Sequence, residues 1–503
     1  MKTNQIQQEP SIDVGIMGES RIGFFLHRCC DVYAVEGDEG MGRTAEALAP
    51  LLSLEPGGYC ACVEDGQLSV YAGGNAAREG SVGGPAAGRP CPATQPRLRG
   101  ARRYRIVARE TLRPSNTSST TGPASQSSFS LQQVRIGIDF HWDRRQDQSF
   151  AGELHLLQDG PRVLAINRLP LEDYLLSVIA SEMSAHAGLE LLKAHAVISR
   201  SWLLAQGLGG PRQQPAPQHT GFCGYDRGEE HIRWYERDAH RLFDVCADDH
   251  CQRYQGLQQA CTPQVREALA ATRGLVLACQ DEICDARFYK CCGGRTENFQ
   301  AAWADTPKTY LRSIADNLLS TDNDPDLRDE AQARAFICSR PAAFCNTQDK
   351  AVLRQVLNDY DQETTDFYRW QVRYSVDELT EIVRQRSGLD LGRILALQPV
   401  ERSESARLVK LRIVGEKGSI IVGKELEIRK FLSRSHLYSS AFVVDEERNS
   451  DGETTAFVLH GAGWGHGVGL CQIGAAMMSH QGYGYRDILQ HYYPDTRLEK
   501  LYS

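Results

Sequence analysis

Residues 169–206 constrain this chain more than any other stretch, because they hold two consecutive helical patterns with chemically active residues at fixed positions. In LPLEDYLLSVIASEM the apolar residues recur at steps of three and four, which is typical of a helix with one buried face. Glu182 continues that stripe, so its carboxyl group is expected beside apolar neighbours, where desolvation favours the neutral acid. A carboxyl group kept neutral in this way is suited to general acid catalysis.

A second helix is predicted from about residue 189 to residue 206. It carries Lys193 and Arg200 seven residues apart, which is two turns and places both cations on one face. Two cations on one stripe suggest a polar substrate. From the residues alone, the alternative is that Glu182 caps or pairs within the helix hairpin and that the cations are solvated surface groups.

PLEDYLLSVIASEM followed by LLKAHAVISRSW resembles the core motif of the SpoIID family, which is named after stage II sporulation protein D and includes the LytB amidase enhancers. Family members read close to LPLEDYLYGVVPSEMP and then ALKAQAVAARTY, and they are lytic transglycosylases of peptidoglycan. The resemblance implies that Glu182 is the catalytic glutamate and that Lys193 and Arg200 contact the substrate. His195 stands where the family usually has glutamine, so the polar substrate contact implied there differs in this chain.

The reaction implied by the resemblance needs one acid/base residue. Hydrolytic glycosidases use a second carboxylate to activate water or to attack the sugar, and no second carboxylate is well placed in this stretch. We expect Glu182 to protonate the glycosidic oxygen and then to accept the proton of the muramic acid C6 hydroxyl, which closes a 1,6-anhydro ring. Lys193 and Arg200 would orient the glycan or stabilise the ionised glutamate.

Composition excludes several other classes. The 503 residues are 41% apolar, enough for one large or two ordinary globular domains. The net charge of −8 has no dominating basic tract, so there is no electrostatic footprint for nucleic acid. No stretch approaches the roughly 18 consecutive apolar residues of a membrane span, and the amino terminus has no apolar segment of the secretory kind. The family nevertheless implies a periplasmic or extracellular place in the cell envelope.

The predicted fold class is α+β, with strand-rich lobes around a catalytic helix hairpin. Residues 1–72 read as a small amino-terminal β module, and the Gly-, Pro- and Ser-rich residues 73–130 as a linker or long insertion. Residues 131–503 read as a SpoIID-like catalytic domain, interrupted by an acidic, irregular insertion at about 317–366. The Asp-Gly dipeptide between ELHLLQD and RVLAINR predicts a hairpin that leads into the first helix.

A polar segment after the helix pair offers metal ligands. His240, Cys246 and Cys251 supply an imidazole and two potential thiolates within twelve residues, a donor set that suits zinc. DVCADDHCQRYQG resembles the DxCxxxxCQxYxG pattern of family members that hold zinc through one histidine and two cysteines. We expect a structural zinc that folds this loop at the edge of the cleft. The alternative is a Cys246–Cys251 disulfide with a surface histidine, and a zinc hydrolase built on these three residues is a competing function.

The sixteen cysteines are compatible with two chemical settings. An exported protein can pair them, whereas a cytosolic protein keeps them reduced or bound to metal. We favour metal binding with several free thiols. Cys338 and Cys345 are candidates to pair if oxidised. A second group reads as a further metal site, a disulfide cluster or, most often for such residues, small buried side chains: Cys279, Cys284, Cys291 and Cys292.

Two glycine-rich motifs extend the resemblance. KCCGGRTE is similar to the family's SxSGGxTE, and the resemblance implies that Glu297 contacts sugar hydroxyls. GAGWGHGVGLCQIGA is similar to GxGxGHGVGMSQYGA, with Cys471 where the family usually has serine. Trp464 is expected to stack on a sugar face, and His466 and Gln472 to shape the cleft by hydrogen bonding. The remaining alternative is a non-catalytic glycan-binding protein that enhances a cell-wall amidase.

Overall fold

The computed structural model describes twelve parts of the chain: residues 2–3, 6–35, 49–73, 95–109, 127–137, 144–207, 223–235, 240–248, 251–257, 262–318, 324–356 and 366–503. Most of the segment predicted as a linker, residues 73–130, lies outside them. No helix in the described ranges is long and apolar enough to cross a membrane.

Strands dominate the first third of the described chain. They are β1 (Ser11–Glu19), β2 (Arg21–Leu26), β3 (Cys30–Ala34), β4 (Leu52–Leu54), β5 (Gly57–Glu64), β6 (Gln67–Ala72), β7 (Leu98–Arg99), β8 (Arg103–Ala108), β9 (Phe129–Ile136), β10 (Arg144–Phe150), β11 (Glu153–Asp159) and β12 (Arg162–Pro170). The helix pair follows as α1 (Leu171–Glu182) and α2 (Leu189–Ala205), which confirms both predicted helices.

The rest of the described chain alternates strands and helices, so the predicted α+β class is confirmed. Its elements are β13 (Cys223–Arg227), β14 (Glu230–Trp234), β15 (Val245–Cys246), α3 (Pro263–Thr272), β16 (Leu275–Cys279), β17 (Glu282–Ile283), β18 (Phe288–Tyr289), α4 (Phe299–Ala302), α5 (Glu330–Cys338), α6 (Lys350–Leu353), β19 (Arg369–Ser375), α7 (Val376–Ser387), β20 (Ile394–Arg402), β21 (Leu408–Gly415), β22 (Gly418–Gly423), α8 (Glu425–Phe431), β23 (Phe442–Arg448), β24 (Thr454–Ala462), β25 (Leu470–Cys471), α9 (Gln472–His480), α10 (Tyr485–Tyr492) and β26 (Arg497–Lys500).

The segment at about 317–366, predicted as irregular, contains the helices α5 and α6. Each begins at an aspartate whose side chain accepts a backbone N–H of the first turn, Asp329 from Gln332 and Asp349 from Ala351. Both helices are short, and their polar faces hid the helical period in the sequence.

The strands of residues 11–72 do not form a sheet of their own. One sheet has the order β15-β1-β12-β11-β8-β3-β4 and the other has the order β10-β9-β2-β5-β6-β7, so both also contain later strands. The centre of β1 is buried, from Ile12 to Ile16, and it lies between β12 and β15. A buried central strand needs hydrogen-bond partners on both edges, and this chain supplies them only after residue 160.

The first sheet delivers the chain into the helix pair. β11 and β12 form a hairpin in which Asp159 lies opposite Arg162, and Gly160 in the turn has a φ of +57°, which favours glycine. This confirms the hairpin predicted from the Asp-Gly pair. β12 ends at Pro170, and the backbone N–H of Leu171 donates to the carbonyl of Pro10 beside β1. The sheet therefore fixes the point at which α1 begins.

The helix pair is buried in the main hydrophobic core, between the first sheet and the carboxyl-terminal helices. From Leu191 onward almost every α2 side chain is buried, so this helix has no broad solvent face. Each fully buried Leu, Ile or Val contributes about 1.5–3 kcal/mol relative to exposure. The helix pair is therefore a rigid support for any side chain placed at its ends.

A second core forms the carboxyl-terminal lobe. There the sheets β13-β14-β22-β21-β20 and β19-β24-β23 pack with α7 and α8. α7 ends at Gly388, whose φ of +70° provides the left-handed cap. The helix α8 follows β22.

Candidate active site

Glu182 is the last residue of α1 and is partly exposed to solvent. Its Oε1 accepts the backbone N–H of Arg253 at 2.8 Å. After Glu182 the backbone becomes extended at Met183, so the carboxyl group lies at the carboxyl end of the helix. The helix dipole disfavours negative charge at that end, whereas the Arg253 N–H favours it. The sequence-based prediction that Glu182 is a general acid concerns this carboxyl group and stays a prediction.

The segment that hydrogen-bonds the glutamate, residues 251–257, is fixed on α1 by aromatic and polar contacts. The ring of Tyr254 stacks on Tyr174 with centroids 5.3 Å apart, and its hydroxyl donates to Asn167 Oδ1 at 2.6 Å. The hydroxyl of Tyr174 donates to Gln252 Oε1 at 3.3 Å. These contacts hold in place the segment whose Arg253 N–H donates to Glu182.

The same segment carries one member of the predicted metal cluster. The ligand atoms of His240, Cys246 and Cys251 lie within 4.8 Å of one another, and His240 Nε2 is 3.4 Å from Cys251 Sγ. The two sulfur atoms are not bonded to each other, so the alternative Cys246–Cys251 disulfide is not formed. Cys246 lies in β15, which pairs with β1. The sheet edge and the glutamate segment thus bring together three donors whose chemistry fits zinc.

Lys193 forms an ion pair at the start of α2. Its Nζ donates to Glu190 Oε1 at 2.6 Å, and Glu190 Oε2 accepts the N–H of Tyr485 at 2.8 Å. The lysine side chain is 17% exposed. The cation therefore reaches solvent beside the loop that precedes α2.

His195 does not match the substrate contact predicted for it. The side chain is fully buried, its ring lies edge-on to Phe288 at 4.9 Å, and neither ring nitrogen has a hydrogen-bond partner in the described residues. Burial lowers the pKa of His195 to about 3, so the ring is neutral. The reason is that α2 is covered on the side that His195 occupies, which the sequence pattern did not reveal.

Arg200 is also placed in the core and not on a substrate-facing stripe. Its Nε and Nη2 donate to the two oxygens of Glu172 at 2.9 and 2.7 Å, and its Nη1 donates to the Leu275 carbonyl at 2.9 Å. The hydroxyl of Tyr502 donates to the same carboxylate at 2.8 Å. Seven residues of spacing do put Lys193 and Arg200 on one side, but only the first of them reaches solvent.

We expect the Arg200–Glu172 pair to make stability depend on acid pH. Burial by itself would raise the pKa of Glu172, but the Arg200 guanidinium outweighs it and leaves this pKa below its ordinary value of 4.5. A carboxyl group with a depressed pKa stabilises the fold above the unfolded pKa, and this stabilisation is lost as pH falls through the folded pKa. Urea unfolding between pH 6 and pH 3 should show the loss beginning near pH 4.5. A Glu172→Gln variant should show a shallower decline, and an equal decline would contradict this origin.

Trp464 lies in the glycine-rich loop that follows β24. Its ring packs on Tyr438 with centroids 4.2 Å apart. Together with Trp370, Arg369 and His460 it lines an open groove of about 720 Å³. Aromatic faces next to arginine and histidine are suited to sugar stacking. Glu182 is not among the described residues that line this groove.

His466 and Gln472 are held inside the glycine-rich loop. His466 Nε2 donates to the Phe288 carbonyl at 3.1 Å, and its Nδ1 accepts the N–H of Val468 at 3.1 Å. Burial and nearby arginines hold the pKa of His466 well below its usual range, so it is a neutral ring that shapes the loop. Gln472 is 4% exposed at the first residue of α9. Neither side chain lines the groove beside Trp464.

Glu297 does not match its predicted sugar contact. The residue is fully buried, and its Oε2 accepts the hydroxyls of Ser403 and Ser405. Its Oε1 accepts the N–H of Asn298 at 2.7 Å. The glutamate therefore connects the turn after β18 to the carboxyl-terminal lobe.

The four cysteines predicted as one group separate in space. Cys292 Sγ lies 3.3 Å from Cys345 Sγ, and the N–H of Cys292 donates to Cys471 Sγ at 3.2 Å, whereas Cys279 ends β16 elsewhere. Cys345 thus meets Cys292 and not Cys338, which is exposed. One sequence signal could have indicated this grouping: Cys292 and Cys471 both stand where the two family-like motifs have serine.

Family comparisons cover two parts of the chain. The family model described as Stage II sporulation protein matches residues 159–278, which contain α1, α2 and the His–Cys–Cys cluster. A model described as a domain of unknown function, DUF8618, matches residues 297–469. The first match confirms the resemblance drawn from the helix-pair motif.

Curated relatives extend over most of the chain at low identity. Stage II sporulation protein D of Bacillus amyloliquefaciens is 23% identical over 346 residues, which is 67% of this chain and 77% of that protein. Stage II sporulation protein D of Bacillus subtilis (strain 168) is 22% identical over 393 residues, 76% of this chain and 85% of that protein. The Amidase enhancer of Bacillus subtilis (strain 168) is 23% identical over 341 residues, 64% of this chain and 40% of that protein.

Proposed function

We propose that this chain, which carries a SpoIID family domain, acts on the bacterial cell wall as a lytic transglycosylase of peptidoglycan. The bond cleaved joins N-acetylmuramic acid to N-acetylglucosamine. The observation that carries the proposal is the position of Glu182, a partly exposed carboxyl group at the end of a buried helix, held by the N–H of Arg253. The family match supports it, because the matched residues include this helix and its partner segment.

The chemistry needs no second carboxylate. Neutral Glu182 gives its proton to the glycosidic oxygen while the bond from that oxygen to the muramic acid C1 breaks. The muramic acid C6 hydroxyl attacks C1 and returns its proton to the Glu182 carboxylate. The products are a 1,6-anhydro end and a free sugar hydroxyl, and no water is consumed. Two other acids of the helix pair are already engaged, since Glu172 binds Arg200 and Glu190 binds Lys193.

Substrate binding is proposed for two places. Lys193 supplies a solvent-reaching cation on the helix next to the glutamate, suited to a polar glycan. Trp464 supplies an aromatic face in the open groove, suited to a sugar ring further along the strand. The proposed setting is the cell envelope, where peptidoglycan lies.

A structural zinc ion is part of this proposal. His240, Cys246 and Cys251 would hold it, and it would supply a cross-link between the sheet edge and the segment that contacts Glu182. We expect the ion to hold in position the segment that carries the Arg253 N–H, and we expect no role for it in activating water.

Removing one thiol of this site tests the zinc. Cys246→Ser should lower the zinc content by one ion per chain and reduce glycan cleavage, because the segment carrying the Arg253 N–H loses its anchor. Metal analysis of the purified chain measures the first effect, and product release measures the second. Cys62→Ser, at another strand cysteine, is the matched control and should retain both. An unchanged zinc content in Cys246→Ser would contradict the assignment.

Mass spectrometry of purified peptidoglycan tests the function. Intact strands and strands stripped of stem peptides are incubated with the chain, and 1,6-anhydromuramyl ends are expected. Reducing ends would show hydrolysis and contradict the proposed reaction.

A non-catalytic role in enhancing a cell-wall amidase is the second candidate, because one relative is named Amidase enhancer. That role predicts no cleavage of either substrate by a folded chain. It also predicts stimulation of an amidase that survives in Glu182→Gln.

A further inference from the structure

A second set of metal-ligand side chains lies apart from the proposed zinc site. Each ligand atom is within 4.8 Å of the other three, and all four residues are buried: Cys292, Asp316, Cys345 and Cys471. They come from four separate segments of the chain. The parallel pairing of β18 with β25 brings the first and last of these segments together, since Tyr289 lies opposite Cys471.

The size of the set fits a single ion. Zinc–sulfur bonds of about 2.3 Å in a tetrahedral site place neighbouring sulfurs about 3.8 Å apart. The Sγ atoms of Cys292 and Cys345 are 3.3 Å apart, which an ion would widen only slightly. A multinuclear iron–sulfur cluster places several metal and sulfide atoms between its cysteines and needs a wider opening than this one.

The charge in the set calls for a cation. Asp316 is completely buried, and its oxygens accept the hydroxyl of Tyr492 at 2.6 Å and the N–H of Cys345 at 2.8 Å. In the described part of the chain no lysine or arginine forms an ion pair with it, and the imidazole of His491 has its Nε2 4.0 Å from Oδ1. A buried carboxylate is costly without a positive partner.

Backbone donors already surround the sulfur atoms. Cys471 Sγ accepts the N–H of Cys292 at 3.2 Å and that of Gly474 at 3.4 Å. Cys292 Sγ accepts the N–H of Gly294 at 3.4 Å. Donors of this kind orient thiolate ligands and stabilise their charge, as the outer shell of a metal site does.

A disulfide explains less of this arrangement. The 3.3 Å separation of Cys292 and Cys345 exceeds an S–S bond of about 2.05 Å, and both thiols are free. A disulfide would also not explain why Cys471 and the buried Asp316 lie next to these two thiols.

We propose a second zinc-binding site, with three thiolates and one carboxylate as ligands, formed by Cys292, Asp316, Cys345 and Cys471. The ion cross-links the turn at 293–294, the segment between α5 and α6, and the start of α9. The start of α9 lies close to Asp316, since a Cβ atom on Gly474 would come within 2.8 Å of Asp316 Oδ1. The site is structural, and metal binding adds directly to the stability of the folded chain.

Metal analysis of the full chain, purified under reducing conditions, tests this site. We expect Cys471→Ser to lose one zinc per chain relative to wild type. The loss should be independent of Cys246→Ser, so the variant carrying both substitutions loses one more ion than either. The matched control is Cys284→Ser, a buried free thiol outside both clusters, which should lose none. Equal zinc in Cys471→Ser and wild type would overturn the proposal.

Two further measurements keep the test decisive if a serine variant fails to fold. Asp316→Asn leaves the three thiols and the shape intact, and cobalt(II) substituted for zinc should show weaker binding and altered visible bands relative to wild type. Disulfide mapping of the wild type should find Cys292 and Cys345 reduced. A Cys292–Cys345 disulfide in the zinc-loaded chain, or cobalt bands that Asp316→Asn leaves unchanged, would overturn the proposal.

Discussion

Replacing Glu182 with glutamine is expected to lower the rate of glycan cleavage by roughly 10²–10⁴-fold, the contribution of general acid–base catalysis. The effect should lie at the upper end, because the same carboxyl group gives a proton in one half of the reaction and takes one in the other. Glutamine keeps the shape of the side chain, and its amide oxygen still accepts the Arg253 N–H. Initial rates of 1,6-anhydromuramyl release from peptidoglycan measure the change.

The matched control lies on the same helix. Asp173 is an exposed acid of α1, and Asp173→Asn should cleave at the wild-type rate. Thermal unfolding should show that Glu182→Gln is folded. Full cleavage by folded Glu182→Gln would remove the glutamate from the mechanism. No cleavage even by wild type, together with amidase stimulation, would favour the enhancer role.

Replacing Arg200 with methionine is expected to destabilise the fold by about 3–5 kcal/mol, the usual result of breaking a buried ion pair from one side. Arg200 is fully buried, so among the described residues the variant leaves the Glu172 carboxylate with the Tyr502 hydroxyl and the Gly274 N–H as its donors. Urea unfolding near neutral pH measures the change in the free energy of unfolding.

Two comparisons distinguish the effect of breaking the buried ion pair from the effect of removing any arginine side chain. Arg384→Met removes an arginine from a solvent-exposed pair with Glu381, and exposed pairs contribute little. The double variant Glu172→Leu, Arg200→Met removes both buried charges and should be more stable than Arg200→Met alone. If Arg200→Met unfolds like Arg384→Met but cleaves glycan poorly, Arg200 acts on substrate after all.

Short-range patterns predicted much of the fold. The three- and four-residue steps predicted α1 and α2, and the Asp-Gly pair predicted the β11–β12 hairpin. These features depend on a few neighbouring residues, so periodicity and turn chemistry are enough to find them. The mixing of early and late strands in both sheets depends on partners more than a hundred residues away, and no local pattern encodes it.

The candidate site likewise combines residues that local sequence patterns predict with contacts that depend on distant parts of the chain. Spacing and resemblance predicted Glu182 and the candidate ligands His240, Cys246 and Cys251. The structure brings these three side chains together beside the segment that hydrogen-bonds the glutamate. The hydrogen bond from Arg253 was not foreseen, because a backbone N–H leaves no mark in the sequence.

By itself, therefore, the sequence determined the helix pair, its acid and the residue types available to bind a metal. Only the tertiary structure decided which of these residues reach solvent. Spacing places Lys193 and Arg200 on one side of α2. Arg200 is nevertheless covered, because Glu172 binds its guanidinium and Tyr502 donates to the same carboxylate. Tyr502 is 302 positions away from Arg200 along the chain, so spacing within the helix could not reveal this cover. The four-ligand cluster likewise exists only because folding joins four distant segments around one buried carboxylate.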